Sequence, residues 1–350
     1  MYYEYEEPVN RIVPHRILAV NRGEKEEILK VAIHVPIDRV LMIMWKEWIP
    51  ATGSSPAISE VKLAIEDSYK RLIQPSIERE LRNELTEKAE TQAIHIFSEN
   101  LRNLLLQPPM KGKYVLGVDP AYRTGCKLAV VDETGKMLEV TAIYPHPPKP
   151  DVAKSTSVVK SILAKYPISI IAIGNGTASR ETEQFIADVL NEVNNDVAYV
   201  IVNEAGASVY SASDVARAEF PDLQVEQRSA VSIARRLQDP LSELVKIEPK
   251  AVGVGQYQHD VSQKKLTESL TFIVETAVNQ VGVDVNTASA SLLQYVSGLS
   301  KTVAENIVKV REENGQFTTR TQLKKNSTTR RKNIRASNRF LTCTRSEKPF

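Results

Sequence analysis

Between residues 113 and 204 the apolar runs come in an order that few folds accommodate. The run 113–119, Lys-Tyr-Val-Leu-Gly-Val-Asp, reads as a buried strand that delivers a carboxylate, Asp119, at its end. Two more strands are predicted at 127–132 and 137–144, and the tight turn Glu-Thr-Gly-Lys at 133–136 makes them antiparallel neighbours. The pattern then alternates. A polar-faced helix at 155–165 leads to an apolar run at 168–173, a second helix follows Gly176, and another apolar run at 198–202 ends in Asn203 and Glu204.

Three hairpin strands followed by helix, strand, helix, strand is the order of an RNase H-like fold. Three long words lie within or just after it: Leu-Gly-Val-Asp-Pro-Ala-Tyr-Arg-Thr-Gly-Cys at 116–126, Gly-Asn-Gly-Thr-Ala-Ser-Arg-Glu-Thr-Glu at 174–183, and Glu-Ala-Gly-Ala-Ser-Val-Tyr-Ser-Ala-Ser at 204–213. With these words the chain resembles the Tex family of bacterial transcription accessory proteins, from Tyr2 to Lys325. The resemblance implies an α/β plus all-α protein. Its parts are a partial N-terminal helical region at 1–110, an RNase H-like domain of the YqgF type at 111–250, and a linker and helix-hairpin-helix domain at 251–325; the basic tail at 326–350 departs from the family and is expected to be out of frame. Against the family's pattern the chain is expected to be truncated at both ends.

Core size is no constraint, since 42% of the 350 residues are hydrophobic. The net charge of +2 gives no general affinity for nucleic acid, so a basic surface has to be local. Cys126 and Cys343 lack the spacing of a disulfide framework or a zinc site, which fits a reducing cytoplasm. The apolar stretch 40–45 is too short to span a bilayer, and no signal-peptide core opens the chain; the sequence reads as cytoplasmic, with no membrane partner.

In the first region Ile77, Leu81, Leu85, Ala89, Ala93, Phe97, Leu101 and Leu105 recur every fourth residue between Pro75 and Pro108, predicting one long scaffold helix. In nucleases of the RNase H-like fold, carboxylates on the first strand, the fourth strand and a later helix hold two divalent metals. Asp119 and Glu204 stand where the first two belong, and Glu226 is the acidic residue near the third place, in the helix 225–237. Arg228, Arg235 and Arg236 lie close by, and fixed guanidiniums neutralise carboxylates without metal. The acidic set therefore reads as vestigial, with no confident catalytic residue, no metal and no cofactor; magnesium enters only under a nuclease alternative. Gly-Asn-Gly-Thr at 174–177 reads as a tight strand-to-helix turn, or as backbone N–H groups for a phosphate. His146, His259 and Asp260 read as structural.

The binding signal is strongest at 284–325. A helix is predicted at 287–296, a hairpin at 297–300 and a second helix at 301–313, started by a capping box of Thr302 and Glu305. This is the helix-hairpin-helix pattern of sequence-independent nucleic-acid binding. Gly298 permits φ > 0, and N–H groups around Leu299, Ser300, Lys301 and Thr302 face a phosphate with the Lys301 charge beside them. Arg123 and Lys127 are further candidates for phosphate contact.

The tail 326–350 has no apolar period and one acid, Glu347, and is expected to be disordered. Codons for it shifted by one nucleotide can encode a segment resembling the family's second hairpin, so a frameshift near Lys324 and Lys325 is expected. The resulting reading is an RNA- or DNA-binding fragment of a transcription accessory protein, RNA being the ligand that the resemblance implies and the transcription machinery the partner. The alternatives are a metal-dependent nuclease or resolvase and a non-functional gene product. The sequence sets no oligomeric state.

Overall fold

A computed structural model describes residues 4–49, 55–193, 196–315, 317–318, 322 and 341–342. The chain divides into two compact units, Met1–Phe97 with Gln256–Leu266, and Ser98–Gly255 with Thr267–Phe350.

The first unit is helical. It holds α1 (Pro14–Lys25), α2 (Ile37–Trp48), α3 (Ala57–Ser68) and, after one π-turn, most of α4 (Gln74–Leu105). Arg82 of α4 grips Glu24 of α1 through both guanidinium ends, one at 2.8 Å, and Asn21 donates to the Thr86 hydroxyl at 2.9 Å. Arg22 pairs with Asp260 and lies 5.0 Å from the Tyr257 ring centre, which gives Asp260 a structural role. The every-fourth-residue repeat in α4 cannot stay on one face, because four residues turn the helix through about 400°. The stripe therefore winds: Ile77 is exposed, whereas Ala89, Phe97, Leu101 and Leu105 are buried.

The second unit is built on a five-stranded sheet in the order β3-β2-β1-β4-β5. Its strands are β1 (Tyr114–Asp119), β2 (Cys126–Val131), β3 (Met137–Ile143), β4 (Ile168–Gly174) and β5 (Ala198–Val202). β2 pairs antiparallel with β1 and β3, while β4 pairs parallel with β1 and β5, as the hairpin-then-crossover order requires. The RNase H-like reading of the sequence holds.

Both faces of the central strands β1, β2 and β4 are covered, which is why they read as largely apolar runs, whereas the edge strands β3 and β5 are mostly exposed or half-buried. α5 (Val152–Lys165) and α6 (Ser179–Glu192) close one face over Leu116, Val118, Leu128, Ile171 and Ile173. On the other face α7 (Ala207–Ala212) and α9 (Val225–Gln238), which follows the short α8 (Asp214–Glu219), meet Val115, Ala129, Val131 and Ala172. Each fully buried Ile or Leu contributes about 1.5–3 kcal/mol relative to exposure. Gly117 sets how closely α9 approaches, because a Cβ there would overlap the carbonyl of Ala230.

The chain continues through α10 (Pro240–Leu244) and α11 (Gln263–Val281) to a small terminal helical assembly. The helix predicted at 287–296 is shorter in the structure: α12 is one turn, Ala290–Leu293. Residues 284–288 are held instead as a turn, with Asn286 N–H on the Asp284 carboxylate at 2.9 Å and Ala288 N–H on the Asp284 carbonyl, before Ser289 caps α12. α13 (Lys301–Asn314) follows, and its Arg311 donates to the carbonyls of Val285 and Ala288 at 3.0 and 2.7 Å. Asn286 clamps Phe317 by a reciprocal pair of bonds at 3.0 and 2.8 Å. Most of the tail 326–350, with the frameshift expected near it, lies outside the described residues. Its two described residues depart from the expected disorder: Leu341 and Thr342 (β7) pair in parallel with Val283 and Asp284 (β6), and Leu341 is buried.

Candidate functional site

Two places gather the residues singled out in the sequence. The first is an acidic pocket at the ends of β1, β4 and β5. Asp119 closes β1, opposite Lys127 in the β1–β2 register. Burial pushes its carboxyl up to about 6, helped by the nearby charges of Glu204 and Glu226 and opposed by a hydrogen bond from Ser229 and by Lys127. Glu204 follows β5 and curls over the turn at 174–176. A Cβ on Gly174 or Gly176 would overlap its carboxylate, so these glycines supply the space that the side chain occupies. Gly176 N–H bonds to that carboxylate, and Asn175 Oδ1 accepts from Glu204 N–H at 3.1 Å. The turn is a cradle for Glu204: the Gly176 N–H serves its carboxylate and the Asn175 N–H goes to Val202 O at 3.0 Å, so neither faces a phosphate.

Burial also raises the pKa of Glu204, and its Oε2 is buried without a hydrogen-bond partner. The countercharge comes from Arg236 on α9. Arg236 is 5% exposed, donates to the carbonyls of Asn203 and Ala205 at 2.9 and 2.7 Å, and feels both Glu204 and Glu243. The other two arginines of α9 turn elsewhere: Arg228 to the carbonyls of Phe220 and Ser211, Arg235 to Gly135 O and Glu219. Glu226, on the first turn of α9, is exposed. Among the described residues no group of three or more His, Cys, Asp or Glu side chains is arranged to hold a metal ion. The buried guanidinium of Arg236 beside Glu204, with Glu226 exposed on the first turn of α9, does not fit a divalent cation, which a fixed positive charge repels.

Lys127 is a correction to the sequence reading. As a phosphate contact it would need to reach solvent, but it is 8% exposed and its ammonium is tied to the carbonyls of Thr124 and Gly125, the latter at 2.9 Å. Arg123 is exposed on the same connection. His146 is buried, with Nε2 2.9 Å from the Thr182 hydroxyl.

The second place is the hairpin between α12 and α13. Gly298 has φ +86°, and Leu299 N–H closes the turn on Val296 O at 3.0 Å. That bond removes Leu299 N–H from the expected anion-facing set, and the Leu299 side chain is buried. The helix cap also moves. Ser300, with extended backbone, accepts from Val303 N–H at 3.4 Å, so Lys301 is the first helical residue and Thr302 lies already inside the helix, too late to cap it. Lys301 and Thr302 are exposed, and as the first two helical residues their N–H groups have no intrahelical acceptor. The macrodipole of a 14-residue helix and the Lys301 charge make this end electropositive.

Asn279 of α11, which the sequence reading passed over, fixes the hairpin from behind. Its Oδ1 accepts from Ser297 N–H at 3.0 Å and its Nδ2 donates to Tyr295 O at 3.2 Å. Ser229 was passed over in the same way, and Asn175 was read only as part of its turn, without the bond that its side chain accepts from Glu204 N–H. None of the three belongs to a periodic pattern; each is a single polar residue whose role depends on what folds against it.

An RNase H-like domain carrying a filled acidic pocket, joined to a helix-hairpin-helix, defines the class. The sequence comparisons name the family. Residues 1–97 match the family model described as Tex central region-like, 113–238 the Tex protein YqgF-like domain, and 278–342 a helix-hairpin-helix motif. The chain is 68% identical over 325 residues to the YdcI protein of Bacillus subtilis, 45% over 338 residues to Protein tex of Bordetella pertussis, and 45% over 329 residues to the transcriptional accessory protein Tex of Neisseria gonorrhoeae. Each match covers 93% of this chain but only 45%, 43% and 43% of the relative, so the chain spans less than half their length. The chain belongs to the Tex family. Among the described residues no helix is long and apolar enough to cross a membrane.

Proposed function

We propose that this chain is a cytoplasmic nucleic-acid-binding module that holds the phosphate backbone, RNA foremost, without sequence specificity and without a cofactor. The supporting observation is the hairpin: the positive φ of Gly298 turns the backbone so that the exposed start of α13 offers the N–H groups of Lys301 and Thr302 beside a lysine charge. Contacts of this kind position a strand and read no bases. The name of the Neisseria relative, a transcriptional accessory protein, supports a place beside the transcription machinery. No observation favours the metal-dependent nuclease alternative.

The test is binding of labelled RNA and duplex DNA across a salt series. Gly298→Glu sets an acid against the phosphate site and strains a backbone with φ > 0, and is expected to weaken both complexes roughly tenfold or more, above 1.4 kcal/mol. Lys301→Ala is expected to lower the slope of log K against log salt by about 1. Deleting residues 326–350 separates this from charge in the tail. If binding survives both hairpin substitutions and is lost with the tail, the proposal fails.

A further inference from the structure

The helix behind the hairpin carries an aromatic ring that the fold does not use. α11 buries Leu266, Leu270, Val274, Ala277 and Val278, a series that packs one side of the helix. Phe272 lies outside that series and is 65% exposed. A lone exposed apolar side chain is ordinary. This one, however, walls a groove of about 690 Å³ whose other lining includes Thr276, Asn279, Tyr295, Gly298 and Leu299. The groove therefore ends on the turn that presents the phosphate site.

Its chemistry suits a base better than a phosphate. Phe272 and Asn279 are seven residues apart, two helical turns, and so share one face of α11. Along the groove stand an exposed aromatic face, the half-buried Tyr295 and the amides of Gln280 and Gln294, while the Asn279 amide is committed to Ser297 N–H and to the carbonyls of Glu275 and Tyr295. Lys301, the positive charge, lies just beyond, while Glu275 in the groove repels an anion there. Aromatic faces accept any base by stacking, and neutral amides can meet its polar edge. Bases inside a duplex are already stacked and paired, so only an unpaired strand can offer one.

We propose that the groove between α11 and the hairpin is a base-stacking subsite for single-stranded nucleic acid, with Phe272 as its platform. A strand whose phosphate sits at Ser300 to Thr302 lays a neighbouring base on the Phe272 ring. The chain then prefers single strands to duplex, a selectivity that phosphate contacts alone do not provide. The proposal rests on the hairpin reading above.

The experiment uses the whole chain and three labelled probes: a short single-stranded RNA, the same RNA annealed to its complement, and an abasic strand of equal length and charge. Phe272→Ala is expected to weaken the single strand by about fivefold to 100-fold, the range for loss of one stacked base. Duplex and abasic strand are expected to bind the variant as they bind the parent. Phe272→Tyr, which keeps the ring, is expected to restore the single-strand affinity. Equal losses for all three probes, or no loss for the single strand, overturns the subsite while leaving the hairpin reading intact. Failure of the parent chain to bind any probe overturns both.

Discussion

Glycine does opposite work in the acidic pocket and in the hairpin. At Gly174 and Gly176 the absent side chains leave a hollow, and the chain's own Glu204 fills it. At Gly298 the absent side chain allows a turn with φ +86°, beyond which the start of α13 stays exposed. Charge follows the same division. Arg236 is 5% exposed and donates through Nη1 to two carbonyls of its own chain, whereas Lys301 is exposed. The lesson is that a Gly-rich strand-to-helix turn beside charged residues identifies a place of close approach but not what approaches. In the pocket it is a side chain of the same molecule.

That contrast can be broken most forcefully at Arg236. Arg236→Met removes two hydrogen bonds and the countercharge of Glu204, and is expected to cost about 3–5 kcal/mol, read as a fall in the urea midpoint. Adding Glu204→Gln to that variant should return part of the loss, because it removes one uncompensated carboxylate. A stability unchanged by Arg236→Met would mean that the pocket is not charge-balanced from within.

Gly176→Ala tests whether the hollow is filled. The added Cβ is expected to evict the Glu204 carboxylate at a cost of about 1–3 kcal/mol. In a Glu204→Ala background the same change should cost less than about 1 kcal/mol, and this non-additivity in a double-mutant cycle is the diagnostic result.

Asp119→Asn sharpens the comparison through pH. The carboxyl of Asp119 is raised from 3.8 to about 6, so the folded state holds its proton more tightly than the unfolded chain. The stability this provides is full below pH 3.8 and is lost as pH rises through about 6. The asparagine variant escapes that loss and is expected to exceed the parent by about 1–3 kcal/mol at pH 7, with the gain vanishing below about pH 4. Melting temperatures of the pair across this pH range check it; a gain that persists in acid would assign the effect to something other than ionisation.

The central strands of the sheet were legible in the sequence because both of their faces are covered. Burial on both sides writes strands such as 168–173 as continuous apolar runs, and their spacing set hairpins against crossovers. The turn at Gly298 was legible because φ > 0 suits glycine above other residues. The first hairpin helix was not, since Asp284 and Ser289 both compete for backbone N–H groups and cut it to one turn. Nor could spacing tell which arginine of α9 enters the pocket. Neighbouring helical residues point about 100° apart, so Arg235 and Arg236 reach different surroundings although they adjoin in sequence. Lys127 was misread because a lysine in a strand can curl its ammonium back onto the preceding turn.

Arg236 also bears on how such a chain can change over generations. Substituting it alone strands the Glu204 carboxylate, while Glu243 keeps its ion pair with Lys246 at 2.9 Å, and new acids at Glu226's end of α9 gain nothing while the guanidinium is present. Replacing this arginine alone is therefore expected to cost stability before any cation site exists. The filled pocket thus ties its positions together: exchanging Arg236 without loss of stability requires a change at Glu204 in the same step.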